Sequence, residues 1–362
     1  MTQSSCIRLK SGREIGDGRP CFLVAEIGNN HQGDSEIARE LISKAAEAGA
    51  DAVKFQKRDM NALLTEQGRT APYTGPNSFG PTYGEHRMNL ELSPADIEEL
   101  KLFAEKLGLV FFASVWDLPS LELLHDMDAW LIKIPSADLT NVPLLRRAAE
   151  LGAPVVLSTG MSEMREIDRA VHELTTRHRH VALLHCNSSY PCPDSETGVR
   201  LMAKLKERYG LPTGYSGHEQ GLGPSLAAAA HGACIIERHF TLDKKLPGTD
   251  HKASLDPEEF SELTRLVRSM EAAMIADEKC ISPAERRTAT KLKKSVVFTR
   301  PLPAGHVIGE DDLAAKCPGT GVSPLHWDEI IGCRLTSPVE HEQLFDWELV
   351  AAANRVMNNA LP

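Results

Sequence analysis

AAAHGACIIERHF, residues 228–240, contains in thirteen positions the pattern that recurs along the chain. An alanine-rich segment ends at Gly232, and a short apolar run follows at once and ends at His239. Glycine after a helix supplies a left-handed turn, and a strand buried on both faces is typically a continuous apolar run. The stretch therefore predicts a helix, a glycine turn and a buried strand that ends in a histidine.

The same helix–glycine–strand unit recurs at 44–56, 103–115, 147–160 and 205–218. In chain order, the strands are predicted at 22–28, 52–56, 110–115, 130–136, 154–160, 181–187, 213–218 and 235–242. Helical patterns separate them, with Asp34, Ser93 and Ser162 as predicted starts. Eight such alternations predict an α/β fold, the (β/α)8 TIM barrel. The competing doubly wound sheet is disfavoured because no G-x-G-x-x-G follows the first strand.

Two segments, the C-terminal region and the connection at 57–92, do not follow the strand–helix pattern. The barrel is predicted to occupy residues 1–280, with a polar, basic linker at 281–294 and a small β-rich domain at 295–362. The close spacing of Pro and Gly in residues 295–362 is typical of short strands and turns. Within the barrel, the connection at 57–92 is too long for a routine loop. It is either a flexible insertion or a lobe over the mouth of the barrel.

Composition limits the partners of the chain. It has 362 residues and a formal charge of −10, which argues against nucleic acid or an anionic membrane as partner. The first residues resemble no secretory signal, and no apolar run is long enough to span a membrane. The eight cysteines include no C-x-x-C pair and are expected to be reduced thiols. These features predict a cytoplasmic protein.

Polar side chains end the predicted strands, and in this fold strand ends meet at one mouth. His218 and His239 end the seventh and eighth strands, which are neighbours about 4.8 Å apart. Two imidazoles there predict a divalent metal site with open coordination positions, suited to Mn, Fe, Co or Zn. Satisfied core histidines are the alternative.

Charged and hydroxyl side chains at the other strand ends predict an anion site. Lys54 and Lys133 interrupt apolar strands, so they either hold a multiply charged anion or form ion pairs with Glu26 or Asp138. Serines 114, 136, 158, 188 and 216 suit phosphate or carboxylate binding, although serine is also a common helix cap. Glu26, which ends the first strand, is a candidate general acid or base. Asn187 stands among the polar residues after the sixth strand.

Several ordered motifs resemble the sialic acid synthase family. They are FLVAEIGNNHQGD, AVKFQK, KIPSADLTN, VVLSTGMS, LLHCNSSYPCP, GYSGHEQG and ERHFTLDKKLPGTDH. The tail SVVFTRPLPAGHVIGEDDLAAKCPGTG is similar to that family's antifreeze-like (SAF) domain. The resemblance covers nearly the whole chain.

The resemblance implies a metal-dependent condensation of phosphoenolpyruvate with an N-acetylmannosamine-type aldose. Mn²⁺ is the expected metal, with Mg²⁺ or Co²⁺ as alternatives, and His218 and His239 as its ligands. Phosphoenolpyruvate would contact Lys54, Ser114, Lys133, Ser136, Ser158, Ser188 and Ser216. The sugar would contact Gln56, Asp138, Tyr190 and Asp250. Glu26 would transfer protons, and members of the family form domain-swapped homodimers.

The acceptor sugar stays open at this point. Cys317 stands before PGTG, where many bacterial members have an arginine that reaches the N-acetyl group. The segment PYTGPNSFGPTYGEHRMNLELS resembles the animal-type branch, which takes the 6-phosphorylated sugar. A different hexose, as in KDN, legionaminate, pseudaminate or spore-coat synthesis, is a third alternative. A metal-dependent aldolase or isomerase, and a non-catalytic carbohydrate- or ice-binding protein, are the rival functions.

Overall fold

The computed structural model describes residues 6–129, 131–275 and 278–351. The chain divides into two compact units, Met1–Ile275 and Ala276–Pro362. Among the helices so described, none combines the length and the apolar character that crossing a membrane requires.

The first unit is a closed eight-stranded parallel barrel, as predicted. An antiparallel hairpin, β1 (Cys6–Arg8) and β2 (Glu14–Gly16), precedes it. The barrel strands follow in spatial and chain order, and the last pairs with the first. They are β3 (Phe22–Gly28), β4 (Ala52–Lys57), β5 (Val110–Val115), β6 (Ile132–Ile134), β7 (Val155–Ser158), β8 (Val181–Cys186), β9 (Thr213–Gly217) and β10 (Ile235–His239). Trp130, the first residue of the fourth predicted strand, lies outside the described residues.

Helices lie between the strands. In this unit they are α1 (Ser35–Glu47), α2 (Met60–Leu63), α3 (Glu66–Thr70), α4 (Tyr83–Met88), α5 (Pro94–Lys106), α6 (Leu118–Asp126), α7 (Val142–Leu151), α8 (Met164–Thr175), α9 (Leu201–Tyr209), α10 (Gly223–Ala230) and α11 (Pro257–Ala273). Asp34 and Ser93 cap α1 and α5 as predicted. The prediction for Ser162 is wrong, because Glu163 is the N-cap of α8. The Ser162 hydroxyl instead donates to the carbonyl of Gly160.

Strand alternation divides the core into two layers. Leu23 and Ala25 face outward and pack with the helices, whereas Phe22 and Val24 face the barrel interior. Hairpin residues Ile7, Leu9 and Ile15 belong to the same interior cluster. Because side chains alternate along a strand, Glu26 continues the inward face of Phe22 and Val24. The interior is therefore apolar at the hairpin end and polar at the carboxyl ends of the strands.

The connection at 57–92 is a folded lobe that contains α2, α3 and α4. Its centre is aromatic. Ring centroids are 4.4 Å apart for Tyr73 and His86, 5.5 Å for Tyr73 and Tyr83, and 5.9 Å for Phe79 and His86. Packing of this kind gives a long connection a small core of its own, so the flexible-insertion alternative does not describe it.

The second unit is small and contains the predicted short strands. It comprises α12 (Pro283–Leu292), β11 (Ser295–Phe298), β12 (Leu313–Lys316) and α13 (Trp327–Ile330). β11 and β12 pair antiparallel, and isolated bridges such as Leu302–Val339 join the turns. Its core includes Val296, Phe298 and Phe345. The segment 281–294, predicted as a linker, contains α12.

Candidate active site

A cavity of about 200 Å³ lies at the carboxyl ends of the barrel strands. Most of the predicted site residues line it: Glu26, Lys54, Gln56, Ser114, Lys133, Ser136, Ser158, Ser188, Tyr190, Ser216, His218 and His239. Their convergence follows from strand geometry. Residues two apart on one strand face the same way, and the strands end at one rim.

A buried cluster of two lysines and two glutamates forms the floor of the cavity. Lys54 Nζ lies 2.8 Å from Glu26 Oε2 and 2.9 Å from Ser114 Oγ. Lys133 Nζ lies 3.0 Å from both carboxylate oxygens of Glu237, and Lys54 Nζ lies 3.5 Å from one of them. The predicted ion pair with Glu26 is therefore present for Lys54, while Lys133 pairs with Glu237 rather than Asp138.

The cluster separates the proton affinities of its two carboxylates. Burial raises the pKa of Glu26, and Lys54 offsets this only in part. Burial acts on Glu237 in the same direction, but Lys133 and Lys54 lower its pKa to about 2. The pKa of Glu26 is thus shifted upward and that of Glu237 downward, and two carboxylates separated in this way can divide acid–base work. Glu26 is the member suited to proton transfer.

The two predicted metal ligands lie side by side. The ring centroids of His218 and His239 are 5.4 Å apart, and the Tyr190 ring lies 4.0 Å from His218. His218 Nδ1 donates to the carbonyl of Asn187 at 2.6 Å, which leaves its Nε2 with a free lone pair. Burial lowers the pKa of His239 to about 3, so that imidazole is neutral at pH 7.

These histidines have the chemistry of a two-imidazole metal site. His239 Nδ1 is buried without a hydrogen-bond partner among the described residues, and Asp250 Oδ2 lies 3.8 Å from it. A neutral imidazole with an unused ring nitrogen is a suitable ligand. In the part of the chain that the structure describes, no cluster of three or more His, Cys, Asp or Glu side chains is arranged to hold a metal. A metal held by these two imidazoles would keep coordination positions for water or substrate.

Hydroxyl groups form the opposite wall. Ser136 Oγ accepts from the backbone N–H of Gly160 at 3.0 Å. Ser158 Oγ is buried and has no hydrogen-bond partner among the described residues. A Cβ atom at Gly160 would lie 2.4 Å from Ser188 Oγ and 2.8 Å from Ser136 Oγ. The absence of a side chain at this position therefore leaves room for the hydroxyl groups to face the cavity.

Three predicted residues lie outside the cavity lining. Asn187 contributes its backbone carbonyl to His218, while its side-chain amide donates to the carbonyl of Glu196. Asp250 approaches His239 from the loop after β10. Asp138 accepts from Asn141 at 2.9 Å, and burial raises the pKa of Asp138 to about 6.

Glu237, Trp116 and Cys186 line the cavity but were missed by the sequence analysis. Glu237 could have been found, because it lies two residues before His239 on one strand and so shares its face. Trp116 follows β5, and its ring stacks under the Arg58 guanidinium at 4.3 Å. Cys186 Sγ lies 3.9 Å from His218 Nδ1. Burial raises the pKa of that thiol, but His218, Lys133 and Ser136 together more than offset this, and the net shift is downward.

Both units of the chain match known protein families. Residues 41–279 match the NeuB family, and residues 293–351 match the SAF domain. The chain belongs to the NeuB family. Human N-acetylneuraminate-9-phosphate synthase is 38% identical over 95% of this chain and 96% of its own length. The N,N'-diacetyllegionaminic acid synthase of Campylobacter jejuni is 36% identical over 89% of this chain and 98% of its own. The predicted family is thus confirmed, and the chain is an enzyme.

Solved structures of the NeuB family agree with the fold. The N-acetylneuraminic acid synthetase of Leptospira borgpetersenii, crystallised with citrate, is 32% identical and covers 79% of this chain and 95% of its own, with a TM-score of 0.69. The spore coat polysaccharide biosynthesis protein of Bacillus subtilis is 26% identical and covers 96% and 99%, with a TM-score of 0.64. The named relatives make different products, so family membership leaves the acceptor sugar open.

Proposed function

We propose that the chain condenses phosphoenolpyruvate with N-acetylmannosamine or a related aldose to give a nine-carbon 2-keto-3-deoxy sugar acid and phosphate. The observation that carries the proposal is the cavity itself, where Lys54 and Lys133 lie beside His218 and His239. An aldolase or isomerase would explain the two imidazoles but not a paired-lysine site with a wall of hydroxyl groups.

The anion site is built for a phosphate monoester. Lys54 and Lys133 would hold the phosphate and carboxylate of phosphoenolpyruvate, with hydroxyl donors from Ser136, Ser158 and Ser188. Well-placed donors of this kind contribute about 3 kcal/mol each when charge develops in a site closed to water. As the phosphate leaves, the two ammonium groups neutralise it.

His218 and His239 would hold a divalent cation, Mn²⁺ by preference or Mg²⁺ or Co²⁺, which would polarise the aldehyde oxygen of the acceptor. C3 of phosphoenolpyruvate forms a bond to the aldehyde carbon, and positive charge develops at C2. Glu26 would transfer protons between the water that adds at C2, which loses one, and the aldehyde oxygen, which gains one. Cleavage of the C2–O bond releases phosphate and leaves the ketone. Gln56, Tyr190, Asp138 and Asp250 would contact the sugar.

A 6-phosphorylated acceptor is the second candidate. It is favoured by the similarity to the human 9-phosphate synthase, since a 6-phosphate on the aldose becomes a 9-phosphate on the product. Assaying N-acetylmannosamine, its 6-phosphate and 2,4-diacetamido hexoses separates these candidates.

The decisive test is phosphate release that requires both phosphoenolpyruvate and the aldose. In ¹⁸O-water the label is expected in the C2 ketone and absent from phosphate. Labelled phosphate would indicate P–O cleavage and contradict the proposed route, and equal turnover of pyruvate would reject the function.

The chain is also proposed to form a homodimer in which each SAF domain covers the partner's barrel mouth. Support comes from α12, which has no buried residue in the described structure. Analytical ultracentrifugation is expected to give twice the chain mass of 39.7 kDa. A monomer that retains full turnover would contradict this arrangement.

A further inference from the structure

His218 lies just beyond the region that strand pairing holds. The hydrogen-bonded register between β9 and β10 ends at the pair Gly217–Arg238. His218 and His239 are the next residues on the two strands. The pairing of β9 with β10 thus ends one residue before each imidazole, while His239 remains paired with Glu26 of β3 and the His218 carbonyl accepts from the Cys192 N–H at 2.9 Å. A contact that joins the two strand ends directly can fix the separation of the two imidazoles further.

A fully buried ion pair ties the two strands together at this point. Arg238 and Glu219, which flank the histidines in sequence, are both 0% exposed. Arg238 Nη1 donates to Glu219 Oε1 at 2.9 Å, and Arg238 Nη2 donates to the Glu219 backbone carbonyl at 2.6 Å. The guanidinium thus holds both the side chain and the main chain of the residue after His218.

Two hydroxyl groups also donate hydrogen bonds to the Glu219 carboxylate. Tyr215 OH donates to Glu219 Oε2 at 2.9 Å, and Ser225 Oγ donates to Glu219 Oε1 at 2.7 Å. Arg238 Nη1 also donates to the carbonyl of Gly221 at 2.9 Å, so the turn after Glu219 is held as well. Each carboxylate oxygen has a partner, as a charge buried at this depth requires.

The backbone makes room for this network. A Cβ atom at Gly217 would lie 2.4 Å from Glu219 Oε2 and 2.6 Å from Tyr215 Cε1. Glycine at the last residue of β9 is therefore a condition for the carboxylate to lie where it does. The strand end, the ion pair and the turn form one connected unit.

We propose that Arg238 and Glu219 are positioning residues that hold His218 and His239 at the separation needed for one divalent cation. The proposal rests on the proposed metal-dependent function. A buried ion pair contributes little net stability compared with apolar side chains of the same volume. The contribution of this ion pair is geometric, because it joins the residue after His218 to the residue before His239 at the point where the pairing of β9 with β10 ends.

The experiment compares Glu219→Gln and the double variant Glu219→Gln/Arg238→Met with the unchanged chain. The double variant removes both charges and so leaves no buried charge without a partner. It is therefore the variant to measure if Glu219→Gln alone fails to fold. Mn²⁺ binding is measured by electron paramagnetic resonance titration, and the electronic absorption spectrum of the Co²⁺-loaded protein reports ligand geometry. Groups that orient metal ligands typically contribute 10- to 100-fold in affinity, so at least about 10-fold weaker Mn²⁺ binding and a changed Co²⁺ spectrum are expected.

The matched control is Leu124→Ala, a buried core substitution on α6. It is expected to lower thermal stability while leaving Mn²⁺ affinity and the Co²⁺ spectrum unchanged. A folded double variant with unaltered Mn²⁺ affinity and spectrum would overturn the positioning role. Equal loss of Mn²⁺ affinity in Leu124→Ala would overturn it too, because the effect would then be general destabilisation. If the unchanged chain binds neither ion, the metal part of the proposed function fails and this inference fails with it.

Discussion

Both carboxylate oxygens of Glu237 lie 3.0 Å from the Nζ atom of Lys133. Lys54 and the Ser216 hydroxyl contact the same carboxylate, at 3.5 Å and 3.1 Å. The cations proposed to bind phosphate are thus neutralised by internal glutamates. An incoming phosphate would therefore have to compete with a carboxylate that is already in place, which would favour ligands of high charge.

Lys133→Met is expected to abolish condensation and to lower the free energy of unfolding by about 3–5 kcal/mol, since Glu237 is left buried without its main partner. Urea unfolding and phosphate release measure the two effects. Lys206→Met, which breaks the exposed pair with Asp17, is the control and is expected to change stability by less than about 1 kcal/mol. Lys133→Met/Glu237→Gln is expected to regain stability without activity. Activity in that double variant would show that Lys133 does not bind substrate.

Gly160→Ala is expected to raise KM for phosphoenolpyruvate by about 10-fold or more, because the added methyl group meets the hydroxyls of Ser136 and Ser188. Steady-state kinetics with the aldose at saturation measure the change. Gly223→Ala is the matched control, since a Cβ there meets nothing within 4 Å. Unchanged KM in Gly160→Ala would remove these serines from the phosphoenolpyruvate site.

The raised pKa of Asp138 predicts that the folded chain loses stability as pH rises. Burial raises its pKa from 3.8 to about 6 in the folded chain, so between these values the folded state binds a proton that the unfolded state has released. The free energy of unfolding therefore falls as pH rises from about 4 to about 6, by about 3 kcal/mol at most from this group. Asp138→Asn is expected to flatten that part of the profile in urea titrations. An identical profile in the variant would show that Asp138 ionises normally.

The lowered pKa of Asp312 predicts that the second unit gains stability as pH rises. Its burial would raise the pKa, but the backbone N–H of Gly309, His306 and Arg300 lower it to about 2. Its stabilising contribution is complete above about pH 4 and is lost as pH falls toward 2, because protonation breaks these contacts. Asp312→Asn is expected to destabilise the second unit at pH 7 and to reduce acid sensitivity. Equal acid unfolding of both proteins would refute this role.

Repetition made the fold predictable from sequence. Five helices that end at or beside a glycine are each followed by an apolar run, and eight strand–helix alternations are typical of the (β/α)8 barrel. The histidines and lysines were found because polar residues at strand ends stand out locally. Glu237 and the Arg238–Glu219 pair did not stand out, because a charge within a strand has meaning only once its inward face and its partners on other strands are known. Ser162 was misassigned because Glu163 and Glu166 offered a competing start one residue later.

The hairpin residues Ile7, Leu9 and Ile15 are buried and pack against the apolar residues at one end of the barrel interior. Among the described residues that end of the barrel is closed by apolar side chains, so the polar cavity is expected to be entered at the carboxyl ends of the strands. Lys54, Lys133 and Glu237 are buried in the cavity, whereas Tyr190 is 45% exposed and lies at its opening. For the proposed reaction, phosphoenolpyruvate is therefore expected to bind before the sugar. This binding order would be a consequence of the apolar packing at the end of the barrel opposite the proposed site.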